Sequence, residues 1–331
     1  MTQAMKTSRF DIVGIGNAIV DVVSPADHAF LSRHDMRPGG MALIDAEMAE
    51  TLYAAMPPGQ ESSGGSAANT CAVAAALGAR VAYIGKVADD ALGAVFQRDI
   101  AAAGVHFPTA ALQGGAPTAR CLILVTPDGQ RTMNTYLGAS VAFGEHDVDT
   151  ALIGDSAVLY LEGYLFDPPA AQMAFRAAAR AARVAGRQVA LSLSDAFCVD
   201  RHRDAFRGLL ADVDILFANE AEICSLYEAN RFEDAAEAAR ADVTLAALTR
   251  SEAGSLVLRG GETVLVPAEP ARVVDTTGAG DAYAAGFLTA HTAGLELAAC
   301  GRLGSLAAAE VIGHYGARPA SDLGGMLAQV R

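Results

Sequence analysis

The stretch DTTGAGDAYAAGFL, residues 275–288, sets three small residues, Gly278, Ala279 and Gly280, directly before a carboxylate, Asp281. An apolar run from Ala282 to Leu288 follows without proline, so a helix is predicted to begin at this turn. A helix N-terminus presents unpaired N–H groups and the positive end of the macrodipole. Glycine and alanine let that backbone approach an anion closely, because no large side chain intervenes. The adjacent carboxylate is repelled by such an anion, so a different task suits it: orienting a hydroxyl and taking its proton. An anion hole beside a base is what phosphoryl transfer to an alcohol requires. The plain alternative is a capping aspartate after a glycine turn, and the rest of the chain decides between the two.

With 331 residues, 52% of them apolar and 19% charged, the chain is long enough to bury a core and has a globular composition. A formal charge of −14 argues against a nucleic-acid partner. Lysine occurs only at positions 6 and 86, so arginine carries almost all the positive charge. The five cysteines, Cys71, Cys121, Cys198, Cys224 and Cys300, stand far apart, which predicts free thiols in a reducing compartment. The opening MTQAMKTSRFDIVG lacks the apolar core of a signal peptide, and charges such as Arg80 and Glu162 interrupt every long apolar run. A cytoplasmic protein with no membrane partner is expected.

Other nucleotide devices are missing. Gly14-Ile15-Gly16 follows a strand-like run, but position 19 is isoleucine where a dinucleotide fingerprint needs glycine. The Gly85-Lys86 pair is followed by valine, so it is no P-loop. The seven histidines show no metal-ligand spacing.

FDIVGIG, RVAYIGKV, AVLYLEG, QVALSLS, VDILFAN and LAALTR read as strands, and QMAFRAAARAARVAG and FEDAAEAARAD as helices between them. This alternation predicts a three-layer α/β fold around a mostly parallel sheet. ARCLILV and RTMNTYL flank the turn TPDGQ and form a hairpin; SLVLRGGETVLVP reads the same way. The first hairpin interrupts the α/β rhythm and suggests a β flap. In GGSAANTCAVAAALG, residues 64–78, Gly64 and Gly65 permit close approach of a ligand. Ser66 is expected to cap a helix starting at Ala67, Asn69 to lie in its first turn, and Gly78 to end it.

Together these motifs resemble the ribokinase-like, or PfkB, carbohydrate kinases. DTTGAGDAYAAGFL is similar to that family's C-terminal signature, and residues 64–93, GGSAANTCAVAAALGARVAYIGKVADDALG, to its N-terminal one. The resemblance spans nearly the whole chain. It implies one ribokinase-like domain over 1–331, with a discontinuous β lid near 17–45 and 110–140. It also implies ATP and Mg²⁺, Asp281 as catalytic base, and a monomer or homodimer.

Within the family the likeness is greatest to adenosine kinases, through Gly16-Asn17-Ala18-Ile19-Val20-Asp21. It implies that Asp21, with Asn17 and Asn69, holds the ribose hydroxyls, and that Leu43, Cys121, Leu137 and Tyr164 flank the base. Leu165 stands where an aromatic is expected, and Arg131 closes over the transferring phosphate. Asn219 and Glu222 match an Asn-x-x-Glu motif that organises Mg²⁺. Thr249, Arg250 and Gly254 lie on the nucleotide side, with Thr277, Ala308 and Gly316 beside them. Asp275 and Thr277 are the residues implied for a monovalent cation such as K⁺. The expected reaction is transfer of the γ-phosphate of ATP to the 5′-hydroxyl of adenosine. The alternatives are a PfkB sugar kinase for ribose or fructose, an inosine or guanosine kinase, or a silent nucleoside-binding regulator.

Overall fold

The computed structural model describes residues 8–331; Lys6 and most of the signal-peptide reading lie outside the described residues. The strands are β1 (Phe10–Ile15), β2 (Ile19–Pro25), β3 (Met41–Leu43), β4 (Gln60–Gly64), β5 (Val81–Ile84), β6 (Val105–His106) and β7 (Ala119–Val125). There follow β8 (Arg131–Tyr136), β9 (Ser156–Glu162), β10 (Gln188–Ser192), β11 (Ile215–Asn219), β12 (Leu245–Thr249), β13 (Ser255–Arg259) and β14 (Glu262–Val266). Nine of them form one sheet in the order β14-β13-β12-β11-β10-β9-β1-β5-β6. It is parallel from β12 through to β6, and the β13–β14 hairpin adds an antiparallel edge.

Burial on both faces explains why these strands are nearly all apolar. Val158 and Tyr160 of β9 pack into one core with the helices Ser66–Ala76, Ala279–Thr292 and Leu297–Val311. Leu159 and Leu161, pointing the other way, pack with the helices Pro169–Val184, Ala196–Leu210 and Phe232–Asp242. The two-residue period of the strand thereby creates the three-layer arrangement.

The second sheet runs β3-β8-β7-β2-β4. The predicted hairpin forms its centre, β7 against β8, and β4 adds a strand from outside the two expected lid segments. Val20, Val22, Leu122 and Leu124 face inward to the core, whose other members include Leu31 and Leu52 of the covering helices. The opposite face is less buried, and it carries a cross-strand row: Leu43 lies opposite Thr135, Thr135 opposite Cys121, and Cys121 opposite Asp21. Residues in register on neighbouring strands share a face, so this row lines the lid's open side. This α/β architecture, with a large, mostly parallel sheet and a second smaller one, agrees with the fold that the resemblance implies, and in such open sheets ligands bind at the carboxyl ends of the parallel strands.

Candidate active site

At the end of β1 the chain turns through Gly16 and Asn17 into the lid. Asn17 donates from both its N–H and its side-chain amide to Glu162 Oε1, at 3.1 and 2.8 Å. Glu162 Oε2 accepts from the Ala67 N–H at 2.6 Å, so a strand-end carboxylate caps the helix Ser66–Ala76 from outside. That arrangement corrects the expected role of Ser66. The helix begins at Ser66 itself, its cap is Gly65 with φ +95°, and no side chain of its own caps it. A Cβ at Gly65 would stand 2.1 Å from the Asn17 carbonyl oxygen, so only glycine fits. Freed from capping, Ser66 Oγ donates to Asp281 Oδ1 at 2.6 Å, and Asn69 Nδ2 donates to Asp281 Oδ2 at 3.3 Å.

Asp281 lies in the first turn of the helix Ala279–Thr292, after Gly278 at φ +78°. No side chain caps this end, and a Cβ placed on Gly280 would meet nothing within 4 Å. The backbone at Gly280 thus opens onto free space beside the carboxylate, whereas the Ala279 N–H is taken by the Thr276 carbonyl at 3.2 Å. Burial pushes Asp281 up from 3.8 to about 6, against the hydrogen bonds of Ser66 and Asn69 and the charge of Arg318. Asp21 is likewise raised by burial to about 6, with Arg318 and Arg131 pulling it down and Asp281 adding to the rise. Gly64 faces it, and a Cβ there would lie 2.3 Å from Asp21 Oδ2.

Asn219 ends β11 and forms a capping box with Glu222: Asn219 Oδ1 accepts from the Glu222 N–H at 2.9 Å, and Glu222 Oε2 accepts from the Asn219 N–H at 2.9 Å. Glu222 is buried, and burial raises it to about 7, with the charges of Asp195 and Asp281 adding to the rise. Glu222 Oε1 also accepts from Asn219 Nδ2 at 2.5 Å, so both carboxylate oxygens rest on Asn219. A carboxylate and an amide oxygen side by side fit a hard divalent cation, which would hold Glu222 ionised once the Asn219 side chain turns its oxygen toward it.

Arg131 reaches from the lid to pair with Asp275 rather than standing free over the glycine turn. Asp275 Oδ1 also accepts from the Thr277 N–H and hydroxyl at 3.0 and 2.6 Å, and Oδ2 from the Gly316 N–H at 3.0 Å. Burial alone would raise Asp275, but these donors and Arg131 hold it below its ordinary value. Its lone-pair positions are filled, so a monovalent cation at Asp275 and Thr277 requires Arg131 to move away.

Leu43, 55% exposed, and Cys121 and Asp21 share the lid row described above. Leu137 follows β8 and starts a 3₁₀ turn. Tyr164 is partly exposed, and its electrostatic neighbours include Asp281, which places it toward the same cleft. Leu165, in contrast, packs in the core near Phe166 and Phe206, so it does not stand in for an aromatic at the base slot. On the nucleotide side Thr249 pairs in register with Asn219. Arg250 is held by Glu220 at 3.0 Å and lies over the Phe232 ring, 4.2 Å from its centroid. Gly254 makes the β12–β13 turn, and Ala308 is half-buried against the core.

Two residues of this network escaped the sequence reading. Glu162 ends the apolar run AVLYLE, and a carboxylate closing a buried strand was a usable signal. Arg318, in YGARPA, carries no local pattern; only the fold brings it to Asn69 and Ser63.

The family model described as pfkB family carbohydrate kinase matches residues 42–323. The crystal structure of adenosine kinase from Sinorhizobium meliloti is 51% identical with a TM-score of 0.89, covering 98% of this chain and 100% of that one. That of a probable sugar kinase from Rhizobium etli CFN 42 is 48% identical with a TM-score of 0.90 and the same coverage. The cytidine kinase of Thermococcus kodakarensis is 30% identical over 265 residues, 76% of this chain and 88% of that protein.

Proposed function

Because the chain belongs to the pfkB family of carbohydrate kinases, phosphotransferases with hydroxyl acceptors, we propose that it transfers the γ-phosphate of ATP to the ribose 5′-hydroxyl of adenosine. One observation carries the reading: Asp281 stands at a bare helix N-terminus, held by Ser66 and Asn69, with the lid row Leu43, Cys121 and Asp21 across the cleft. The apolar members of that row suit a flat base, while Asp21 accepts from a cis-diol. The 51% identity to an adenosine kinase supports the choice of nucleoside.

In this mechanism Asp281 orients the 5′-hydroxyl and takes its proton as the bond to phosphorus forms. Its raised pKa, about 6, keeps it ionised at neutral pH yet basic enough to accept that proton. N–H groups of the glycine turn, at Gly280 and Asp281, receive the charge spreading over the phosphoryl oxygens. Mg²⁺ would be held by Glu222 and Asn219, and when bound it neutralises phosphate charge. Arg131, released from Asp275, would turn toward the transferring group as the lid excludes water.

The test is ADP release from Mg·ATP with adenosine, inosine, guanosine, cytidine, ribose and fructose, beside Asp281→Asn. Adenosine is expected to be the preferred acceptor, with turnover in the variant lowered about 10²- to 10⁴-fold. Preference for ribose or fructose would overturn the nucleoside reading in favour of a sugar kinase, as the relative from Rhizobium etli is described. No turnover with any acceptor would leave a silent binder.

A further inference from the structure

Arg318 lies far from both signature stretches, yet its guanidinium reaches into the site. Nε donates to Asn69 Oδ1 at 3.0 Å, and Nη2 donates to the Ser63 carbonyl and hydroxyl at 2.8 and 3.0 Å. Ser63 is itself held by Asp99, which accepts from its N–H at 2.6 Å and its hydroxyl at 2.7 Å. The segment carrying Arg318 is pinned to the glycine turn at two further points. The Gly316 N–H donates to Asp275, and Ala317 packs so close to Gly278 that a Cβ there would lie 2.5 Å away.

The consequence falls on Asn69. An amide has a donor end and an acceptor end, and either can face a neighbour. Arginine only donates and an ionised carboxylate only accepts, so Arg318 on Oδ1 leaves Nδ2 directed at Asp281. We propose that Arg318 is a positioning residue: it fixes the orientation of the Asn69 amide and thereby aims the Asp281 carboxylate at the acceptor hydroxyl. The proposal rests on Asp281 as the base. Arg318 does not donate to Asp281 itself; it acts through Asn69 and through its charge. Around Asp281 stand Ser66 and Asn69 from one helix, Tyr160 and Glu162 of β9, Asp21 of β2, Tyr164 after β9, and Glu222 from the helix Glu220–Tyr227. Arg318 is the cation among these neighbours, and its charge favours the ionised base.

The experiment compares the wild type, Arg318→Met, Arg318→Lys and Asp281→Asn in ADP release from Mg·ATP with adenosine, as a function of pH, with thermal unfolding of each protein. Arg318→Met is expected to lower kcat about 10- to 100-fold, the effect of a misplaced reacting group. KM for adenosine should change less than kcat, and the acid limb of kcat/KM should move to higher pH. Arg318→Lys keeps the charge but loses the fork, so the acid limb should return toward that of the wild type while kcat stays reduced. Wild-type kcat in Arg318→Met, or a loss confined to KM, overturns the proposal. Should Arg318→Met fail to fold, Arg318→Lys decides: reduced kcat with a wild-type acid limb supports it, and wild-type kcat overturns it. Asp281→Asn separates the two readings. Full turnover in that variant removes the base and the positioning role together, whereas its loss beside an unaffected Arg318→Met removes the positioning role alone.

Discussion

A carboxylate that takes a proton near neutral pH must be partly desolvated, and desolvation of an ionised group works against folding. Asp281 shows both sides of this. Burial raises it from 3.8 to about 6, so its ionised form is less favourable in the folded chain than in the unfolded one. The sign follows from proton binding. Between pH 4 and 6 the folded state binds the extra proton, so the destabilisation is absent below about pH 4 and complete above about pH 6. Asp281→Asn removes it and keeps the Ser66 contact, while the weaker 3.3 Å bond from Asn69 is lost because two amide Nδ2 groups then face each other. The variant should therefore unfold at a higher temperature than the wild type at pH 8, by at most about 3 kcal/mol in stability. The difference should fade as the pH falls toward 4. Equal or lower stability of the variant at pH 8, read by thermal unfolding, would contradict this. Asp281 was legible in the sequence because a glycine turn, a carboxylate and a helical run are local patterns. Arg318 was not, because its neighbours Ala308 and Gly316 read as the lining of a nucleotide pocket and no local pattern ties an arginine there to Asn69.

The helix Ser66–Ala76 shows how an element is specified from two sides. Its small residues and its closing Gly78 are written locally, but its N-terminus is capped by Glu162 from β9. The expectation that Ser66 caps this helix failed because a distant carboxylate satisfies the Ala67 N–H first, leaving the hydroxyl for Asp281. Two glycines separate conformational need from steric need. Gly65 and Gly78 have nearly the same positive φ, +95° and +94°, but a Cβ meets the Asn17 carbonyl at 2.1 Å at the first and nothing within 4 Å at the second. Gly78→Ala should cost about 1–2 kcal/mol, the strain of a left-handed residue alone. Gly65→Ala should cost more than about 3 kcal/mol and disturb Asn17 as well. Urea unfolding of the two variants checks the ordering, and equal midpoints would count against it. Leu165 teaches a similar lesson at the end of β9. One residue of offset in a 3₁₀ turn sends it into the core and leaves Tyr164 toward the cleft.

Across the whole molecule, the lid and the central sheet meet through few polar links, and Arg131 with Asp275 is one that spans them. Its guanidinium is mostly buried, and its Nε has no hydrogen-bond partner, which suits a group that has a second place to go. Arg131→Met should leave the central sheet intact and speed hydrogen exchange several-fold in the lid hairpin, residues 119–136. Unchanged exchange there would show that the link does not restrain the lid. No helix among the described residues is long and apolar enough to cross a membrane. The sequence by itself determined the strand–helix alternation, the lid hairpin, and the glycine turn with the carboxylate beside it, since each depends on residues within one or two turns of chain. Only the tertiary structure decided that Glu162 caps a remote helix, that Ser66 serves Asp281, that Arg131 rests on Asp275 and that Arg318 orients Asn69. These contacts join residues 95 to 249 positions apart, where hydrogen-bond donors left over by one element are satisfied by another. Such pairings follow from folded geometry, and no local pattern records them.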